Sequence, residues 1–244
     1  MIYDYKRDFL ISYTGLDSKA EFNLVYAIEF VQNMMTEYFE SFKSDNLRIK
    51  KTNNAAWVMT KTKLKFSGNA GWLDTIKARG YTTKNTPIRS YTESVFYTQN
   101  KKLLFFAKQE YAAIDLTTRR PRKISTIDYP TDMEYEKSIN EMPFLRLSYE
   151  FNEKDFVYNQ KVYYSDIDFS NHTNNVMYVR YLLNTLTSKF FNEHQVDEFE
   201  IHYIHESGEG DVLSIYKKET DNNHIEFLIK NNENEVVRAS LIYK

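Results

Sequence analysis

The densest run of groups able to do chemistry is Ser165-Asp166-Ile167-Asp168-Phe169-Ser170-Asn171-His172-Thr173-Asn174-Asn175, directly ahead of an apolar helical pattern. A helix N-terminus leaves backbone N–H groups unpaired and carries a partial positive charge, so it can hold a developing oxyanion. Asp and Asn are also favoured N-caps, which accounts for one or two of these residues. It does not account for a His and two Asp gathered before a helix that needs a single cap. The surplus, His172 with Asp166 and Asp168, marks this segment as a candidate site, with Thr173, Asn174 and Asn175 at the oxyanion end.

Other chemistries fit less well. His202 and His205 invite a metal reading, but a separation of three on a strand points them to opposite faces, and no His-x-x-x-His pair exists. Cysteine is absent, which removes disulfides, thiolate metal sites and cysteine nucleophiles. Ser207-Gly208-Glu209-Gly210 is not a nucleophile elbow, and no glycine loop of the phosphate-binding type occurs. No metal or cofactor is expected. Arg119, Arg120, Arg122 and Lys123 form a basic knot, read either as a solvated turn or as a patch that steers an acidic partner.

The elements around these residues come in one order, twice. In the first half, Ser18 and Glu21 read as a capping box opening a helix through Leu24, Ala27, Ile28, Val31 and Met35 to near Phe42. From Val58 a strand is predicted with Val58, Thr60, Thr62, Leu64 and Phe66 on one side. Another begins at Gly71, and Ser90–Tyr97 with Leu103–Asp115 should form a hairpin about Thr98–Lys101. In the second half a strand over Phe156–Tyr164 leads to a helix from near Asn174 to Phe190. Strands follow at Glu198–His205 and Asp211–Lys217, then a hairpin of His224–Lys230 and Glu235–Tyr243.

The halves also align by residue at the helix entrance. Ile11-Ser12-Tyr13-Thr14-Gly15-Leu16-Asp17 matches Val162-Tyr163-Tyr164-Ser165-Asp166-Ile167-Asp168, and the same offset sets Asn23 on Asn174, Ile28 on Val179 and Phe30 on Tyr181. Glu21 then stands where the second half has His172. If Asp17 and Asp168 share a structural role such as capping, His172 is the residue that differs for a reason. A long helix followed by a curved antiparallel sheet, repeated, predicts an α+β chain of two tandem hot-dog folds sharing one extended sheet. The expected bounds are 1–125 and 154–244, with a proline-containing, charged linker at 126–153.

Residues 165–175 resemble the Asp-x-Asn-x-His-Val-Asn-Asn signature of the acyl-acyl carrier protein thioesterases. Ala56-Trp57-Val58-Met59-Thr60 is similar to that family's Trp-Val-x-Thr-Arg strand, and Trp72-Leu73-Asp74-Thr75-Ile76 to its Trp-Gly-Asp-x-Val strand. Asp115-Leu116-Thr117-Thr118-Arg119-Arg120-Pro121 resembles the end of its first half. The resemblance implies hydrolysis of fatty acyl-acyl carrier protein to free fatty acid, with Asp168, His172 and Glu206 on the catalytic positions. Ser170 stands where the plant members have Asn, and Ser207 where they have Cys; both are carried as candidates. A serine gives one donor and lacks the second donor of an amide.

The implied mechanism places the acyl chain between helix and sheet and its carbonyl at the second helix's N-terminus. Either Glu206 and His172 activate water or a carboxylate attacks directly to give an anhydride. Two other readings are a coenzyme A thioesterase and a duplicated hot-dog that only binds acyl groups. The implied partner is an acyl carrier protein bearing an acyl-phosphopantetheine, which suits the basic knot because carrier proteins are acidic. A monomer or a homodimer would serve.

Bulk properties agree with that class. The 244 residues are 42% hydrophobic and 27% charged, too apolar for disorder, and 16% aromatic with only 6 Gly, which favours long strands. A net charge of −2 gives no case for a nucleic-acid binder. The first residues, Met1-Ile2-Tyr3-Asp4-Tyr5-Lys6-Arg7-Asp8, do not read as a signal peptide and no apolar run approaches a membrane span. A cytoplasmic protein is expected.

Overall fold

Hydrophobic periodicity and strand pairing divide the chain into two units with the same internal plan. The computed structural model describes residues 4–133, 135–139, 143–220 and 223–244. One unit comprises Met1–Leu16 and Ala20–Pro143, the other Asp17–Lys19 and Phe144–Lys244.

In the first unit, β1 (Asp4–Leu10) precedes the long helix α1 (Leu24–Ser41) and the short helix α2 (Asn46–Asn53). Strands β2 (Ala55–Phe66), β3 (Thr75–Asn85), β4 (Arg89–Thr98) and β5 (Leu103–Asp115) follow. The sheet order is β1-β3-β4-β5-β2, every pair antiparallel. In the second unit, β6 (Phe156–Lys161), α3 (Asn175–Leu183), α4 (Ser188–Glu193) and the strands β7 (Val196–Tyr203), β8 (Val212–Thr220), β9 (His224–Asn231) and β10 (Asn234–Tyr243) come in turn. Its order, β6-β8-β9-β10-β7, is the same permutation. Each unit is a hot-dog, and the chain is a double hot-dog.

α1 lies against its own sheet, touching β1, β3 and β4. Its buried face holds Leu24, Ala27, Ile28, Val31 and Met35 as the periodicity predicts, with Phe30, Met34, Tyr38 and Phe39 added. Each large apolar side chain so buried contributes about 1.5–3 kcal/mol before entropy is counted. Gly80 on β3 lets the helix approach closely, since a Cβ there would stand 3.2 Å from Met34 and 3.3 Å from Met35.

Several boundaries differ from the sequence reading, each for a local reason. α1 starts at Leu24, not at the Ser18–Glu21 box, because the Asn23 side chain accepts the Tyr26 N–H and caps the helix there. The predicted alternation along β2 breaks at a bulge. Met59 faces Tyr111 and Lys61 faces Glu110, so Thr60 is left without a cross-strand partner. Trp57 and Met59 are therefore buried on one side of the bulge, and Thr62 and Leu64 on the other. The strand predicted from Gly71 begins only at Thr75; Trp72 and Leu73 form an exposed turn, with Leu73 at φ 64°.

In the second unit β6 stops at Lys161, short of Tyr164, and the helix predicted to run to Phe190 ends at Leu183. Thr185 Oγ1 donates to the Leu182 carbonyl, and Thr187 Oγ1 accepts the Phe190 N–H and starts α4 afresh. β1 and α2 were not predicted. Within the expected linker, residues 134 and 140–142 lie outside the described residues. The described parts are tied down by side chains: Glu93 accepts the Ile139 N–H at 3.1 Å and Glu200 accepts the Leu145 N–H at 2.7 Å. Among the described residues no helix is long and apolar enough to cross a membrane.

Candidate active site

The loop from Val162 to Asn174 is folded by short-range bonds that leave its polar side chains on one side. Asp166, buried, accepts the Tyr163 N–H on Oδ2 at 2.8 Å, and its carbonyl accepts the Asn174 N–H at 2.8 Å. The Asp168 N–H donates to the His172 carbonyl at 3.0 Å, and the Asn171 N–H donates to the Asp168 carbonyl at 3.0 Å. Closing so tight a turn needs a left-handed residue, and Asn171 supplies it at φ 63°. Asn174 then caps α3, its Oδ1 accepting the Val176 N–H at 2.9 Å.

Four of the predicted catalytic side chains form a connected line. Asp168 Oδ1 accepts both the Ser170 N–H at 2.8 Å and the Ser170 hydroxyl at 2.5 Å. Ser170 Oγ lies 3.3 Å from His172 Nδ1. At the far end of the imidazole, His172 Nε2 stands 3.2 Å from Glu206 Oε2, the residue just past β7. Because the Ser170 proton is spent on Asp168, Ser170 Oγ can only accept from Nδ1, which fixes the proton there. Nε2 is then the nitrogen that faces the carboxylate, placed to exchange a proton there. His172 and Glu206 are each about one-third exposed, so substrate and water can reach them. Ser170 thus joins the line that the missing amide left in question.

Ser207 is not part of that line. It is 3% exposed, and its hydroxyl lies 2.7 Å from Thr173 Oγ1 and 2.8 Å from Tyr178 Oη. Its N–H donates to Tyr178 Oη at 3.1 Å, and its carbonyl accepts from the Thr173 N–H at 2.8 Å and the Thr173 hydroxyl at 3.1 Å. Donors and acceptors close into one circuit: Tyr178 hydroxyl to Ser207 Oγ, Ser207 hydroxyl to Thr173 Oγ1, Thr173 hydroxyl to the Ser207 carbonyl. The sequence reading placed Ser207 among the reacting groups; the structure turns it inward, away from solvent. The oxyanion candidates are corrected as well. The N–H groups of Thr173 and Asn174 are consumed, and the first-turn N–H of Asn175 is left without a partner among the described residues.

Tyr178 was missed. A tyrosine on the buried face of a helix reads as core, and only its partner at residue 207 reveals its polar role. The two histidines downstream are engaged separately, His202 Nε2 with Glu200 at 2.7 Å and His205 Nδ1 with the Glu235 carbonyl at 2.7 Å. The basic knot lies in the first unit. There Arg122 is spent on the Asn53 carbonyl and on Thr126, while Arg119, Arg120 and Lys123 are exposed.

The first unit repeats the backbone of this region. The Phe22 N–H donates to the Ala70 carbonyl at 2.9 Å as Thr173 does to Ser207, and Asn23 N–H donates to Gly15 at 3.1 Å as Asn174 does to Asp166. Asp74 Oδ2 accepts the Gly71 N–H at 2.8 Å as Asp211 does that of Gly208. Ala20 is left-handed at φ 60°, as Asn171 is. Asp17 and Asp168 do share a structural role, but it is a turn, not a helix cap: Asp17 Oδ1 accepts the Lys19 N–H at 2.8 Å. By this correspondence Glu21 replaces His172, Asn69 replaces Glu206, Ala70 replaces Ser207 and Ala27 replaces Tyr178.

Comparison with known proteins agrees with the fold. Residues 149–244 match the family model of the acyl-ACP thioesterase C-terminal domain. The fold is similar to that of an acyl-ACP thioesterase from Bacteroides thetaiotaomicron, with TM-score 0.90 and 17% identity over 99% of this chain and 98% of that one. It is similar also to the 12:0-ACP thioesterase from Umbellularia californica, with TM-score 0.83 and 16% identity over 99% of this chain and 97% of that one. No curated protein matches the sequence itself.

Proposed function

We propose that this protein, whose residues 149–244 match the acyl-ACP thioesterase C-terminal domain, hydrolyses the thioester of fatty acyl-acyl carrier protein to free fatty acid and the carrier thiol. The observation that carries the reading is the Asp168–Ser170–His172–Glu206 line, set at the N-terminus of α3 inside the matched segment.

Water adds to the thioester carbonyl, and its proton goes to the His172–Glu206 pair, where Nε2 and Oε2 stand 3.2 Å apart. Asp168, through Ser170, keeps the Nδ1 proton in place and favours the imidazolium that results. The tetrahedral oxyanion faces the Asn175 N–H and the positive end of α3. Collapse expels the thiolate, which takes the proton back from His172. A positioned base of this kind gives about 10²–10⁴ in rate, and an oxyanion donor about 10²–10³. Water is preferred to an anhydride route because one end of the imidazole is held by Ser170 while the other, beside Glu206, is placed to receive and return a proton. The exposed Arg119, Arg120 and Lys123 present positive charge that would steer an acidic carrier protein. A cytoplasmic setting suits a cysteine-free chain of this reaction class.

The test is product analysis with acyl-acyl carrier protein substrates of medium and long chain, beside the matching coenzyme A esters. Free fatty acid released by the wild type and lost at least about 10²-fold in His172→Ala and Glu206→Ala, with both folded, is the expected result. Full activity in both variants would refute the assignment. Equal turnover of the coenzyme A esters would move the substrate class.

A further inference from the structure

Glu206 sits at the open end of β7, and its carboxylate meets His172 only if the backbone of residues 206 and 207 is held at one height against α3. The Thr173 N–H to Ser207 carbonyl bond does part of this, and the first unit has the same bond between Phe22 and Ala70. The hot-dog framework therefore needs that backbone bond and no more. The hydroxyl circuit of Tyr178, Ser207 and Thr173 is extra. In the first unit all three positions are apolar at once, as Ala27, Ala70 and Phe22, in the same copy that has Glu21 for His172 and Asn69 for Glu206. Within one chain, the circuit occurs where the His–Glu pair occurs and is missing where it is missing.

We infer that Tyr178 is a positioning residue for the reaction: its phenol, bound to both the N–H and the hydroxyl of Ser207, fixes the Glu206 carboxylate opposite His172 Nε2. The inference rests on the hydrolytic reading above. The contacts are 3.1 Å from the Ser207 N–H and 2.8 Å from Ser207 Oγ to one oxygen, from a side chain 3% exposed. Burial raises the Tyr178 pKa above its ordinary value, so the phenol stays a donor through the neutral range. Removing it leaves the Ser207 N–H without an acceptor in a dry site and frees the segment to shift. A displacement of about 1 Å in a reacting group can cost about 10²-fold in rate.

The experiment is a double-mutant cycle on kcat with an acyl-acyl carrier protein substrate, using Tyr178→Phe and Glu206→Gln. Tyr178→Phe alone should lower kcat about 10- to 100-fold with KM unchanged. In the Glu206→Gln background, where binding and the helix end still supply a measurable rate, it should lower kcat no further. An equal loss in both backgrounds would show that Tyr178 serves packing alone, and no loss in the wild-type background would likewise overturn the inference. Should Tyr178→Phe fail to fold, Ser207→Ala in the same two backgrounds carries the same expectation. If the wild type releases no fatty acid, the functional reading itself has failed. An active wild type with a silent Tyr178→Phe removes only this inference.

Discussion

At the scale of single residues, Ser170 decides how the aspartate reaches the imidazole. Its hydroxyl donates to Asp168 and accepts from His172 Nδ1, so it is a relay between two groups that do not touch. Ser170→Ala should lower kcat about tenfold or more while KM holds, because ring orientation is lost and binding area is not; steady-state kinetics would check it. Leu73 makes a different point. It is bulky, exposed and left-handed, at the turn where the second unit has Gly210 at φ 90°. Relieving the conformation with Leu73→Gly should raise stability by about 1 kcal/mol, seen as a higher denaturation midpoint at unchanged activity. The site was partly legible at this scale. His172 and the two aspartates Asp166 and Asp168 stood out as polar residues in excess of what capping requires, and resemblance picked Asp168 from the pair. Glu206 entered only through resemblance, since one carboxylate at a strand end looks like any solvated charge. Tyr178 gave no polar signal, because its partner lies far away in sequence.

At the scale of elements, two asparagines hold the two main helices by the same device, Asn23 for α1 and Asn174 for α3. Either changed to alanine should cost about 1 kcal/mol in stability. Their effects on rate should part company: Asn174→Ala should also lower kcat, because α3 carries the candidate oxyanion end, and Asn23→Ala should leave kcat alone. Thermal melts paired with kinetics on both variants check this. Periodicity found the buried face of α1, and strand signals flanking polar turns found the hairpins β4–β5 and β9–β10. It failed where one residue changed the phase, as at the Thr60 bulge, and where hydroxyl side chains at Thr185 and Thr187 competed with the helix ladder. It also missed α2, a short helix with a mostly polar sequence and a single buried residue, Ile49.

At the scale of the molecule, one buried carboxylate on the sheet of the second unit makes stability depend on pH. Glu226 is 1% exposed, and burial raises its pKa above the usual value. A raised carboxyl binds its proton better in the folded than in the unfolded chain. The contribution is whole below the unfolded pKa and is lost as pH climbs through the folded one. Glu226→Gln removes that loss, so its melting temperature should exceed the wild type's at pH 8 and match it near pH 4. The double hot-dog itself was visible in the repeated order of elements and in the matched helix entrances. The residue alignment held only as far as the helices. α1 has 18 residues and α3 has 9, and the shared register is lost beyond them until hydrogen bonds restore it.

The paired turns at Gly15–Asn23 and Asp166–Asn174 give the chain an internal blank. Both keep the left-handed residue and the backbone bonds at the helix entrance, Asn23 to Gly15 and Asn174 to Asp166, and one lacks the imidazole and the carboxylate beside it. Any substitution aimed at the loop can thus be made twice in one polypeptide, and subtracting the response of the copy without the His–Glu pair separates what that pair adds from what belongs to architecture.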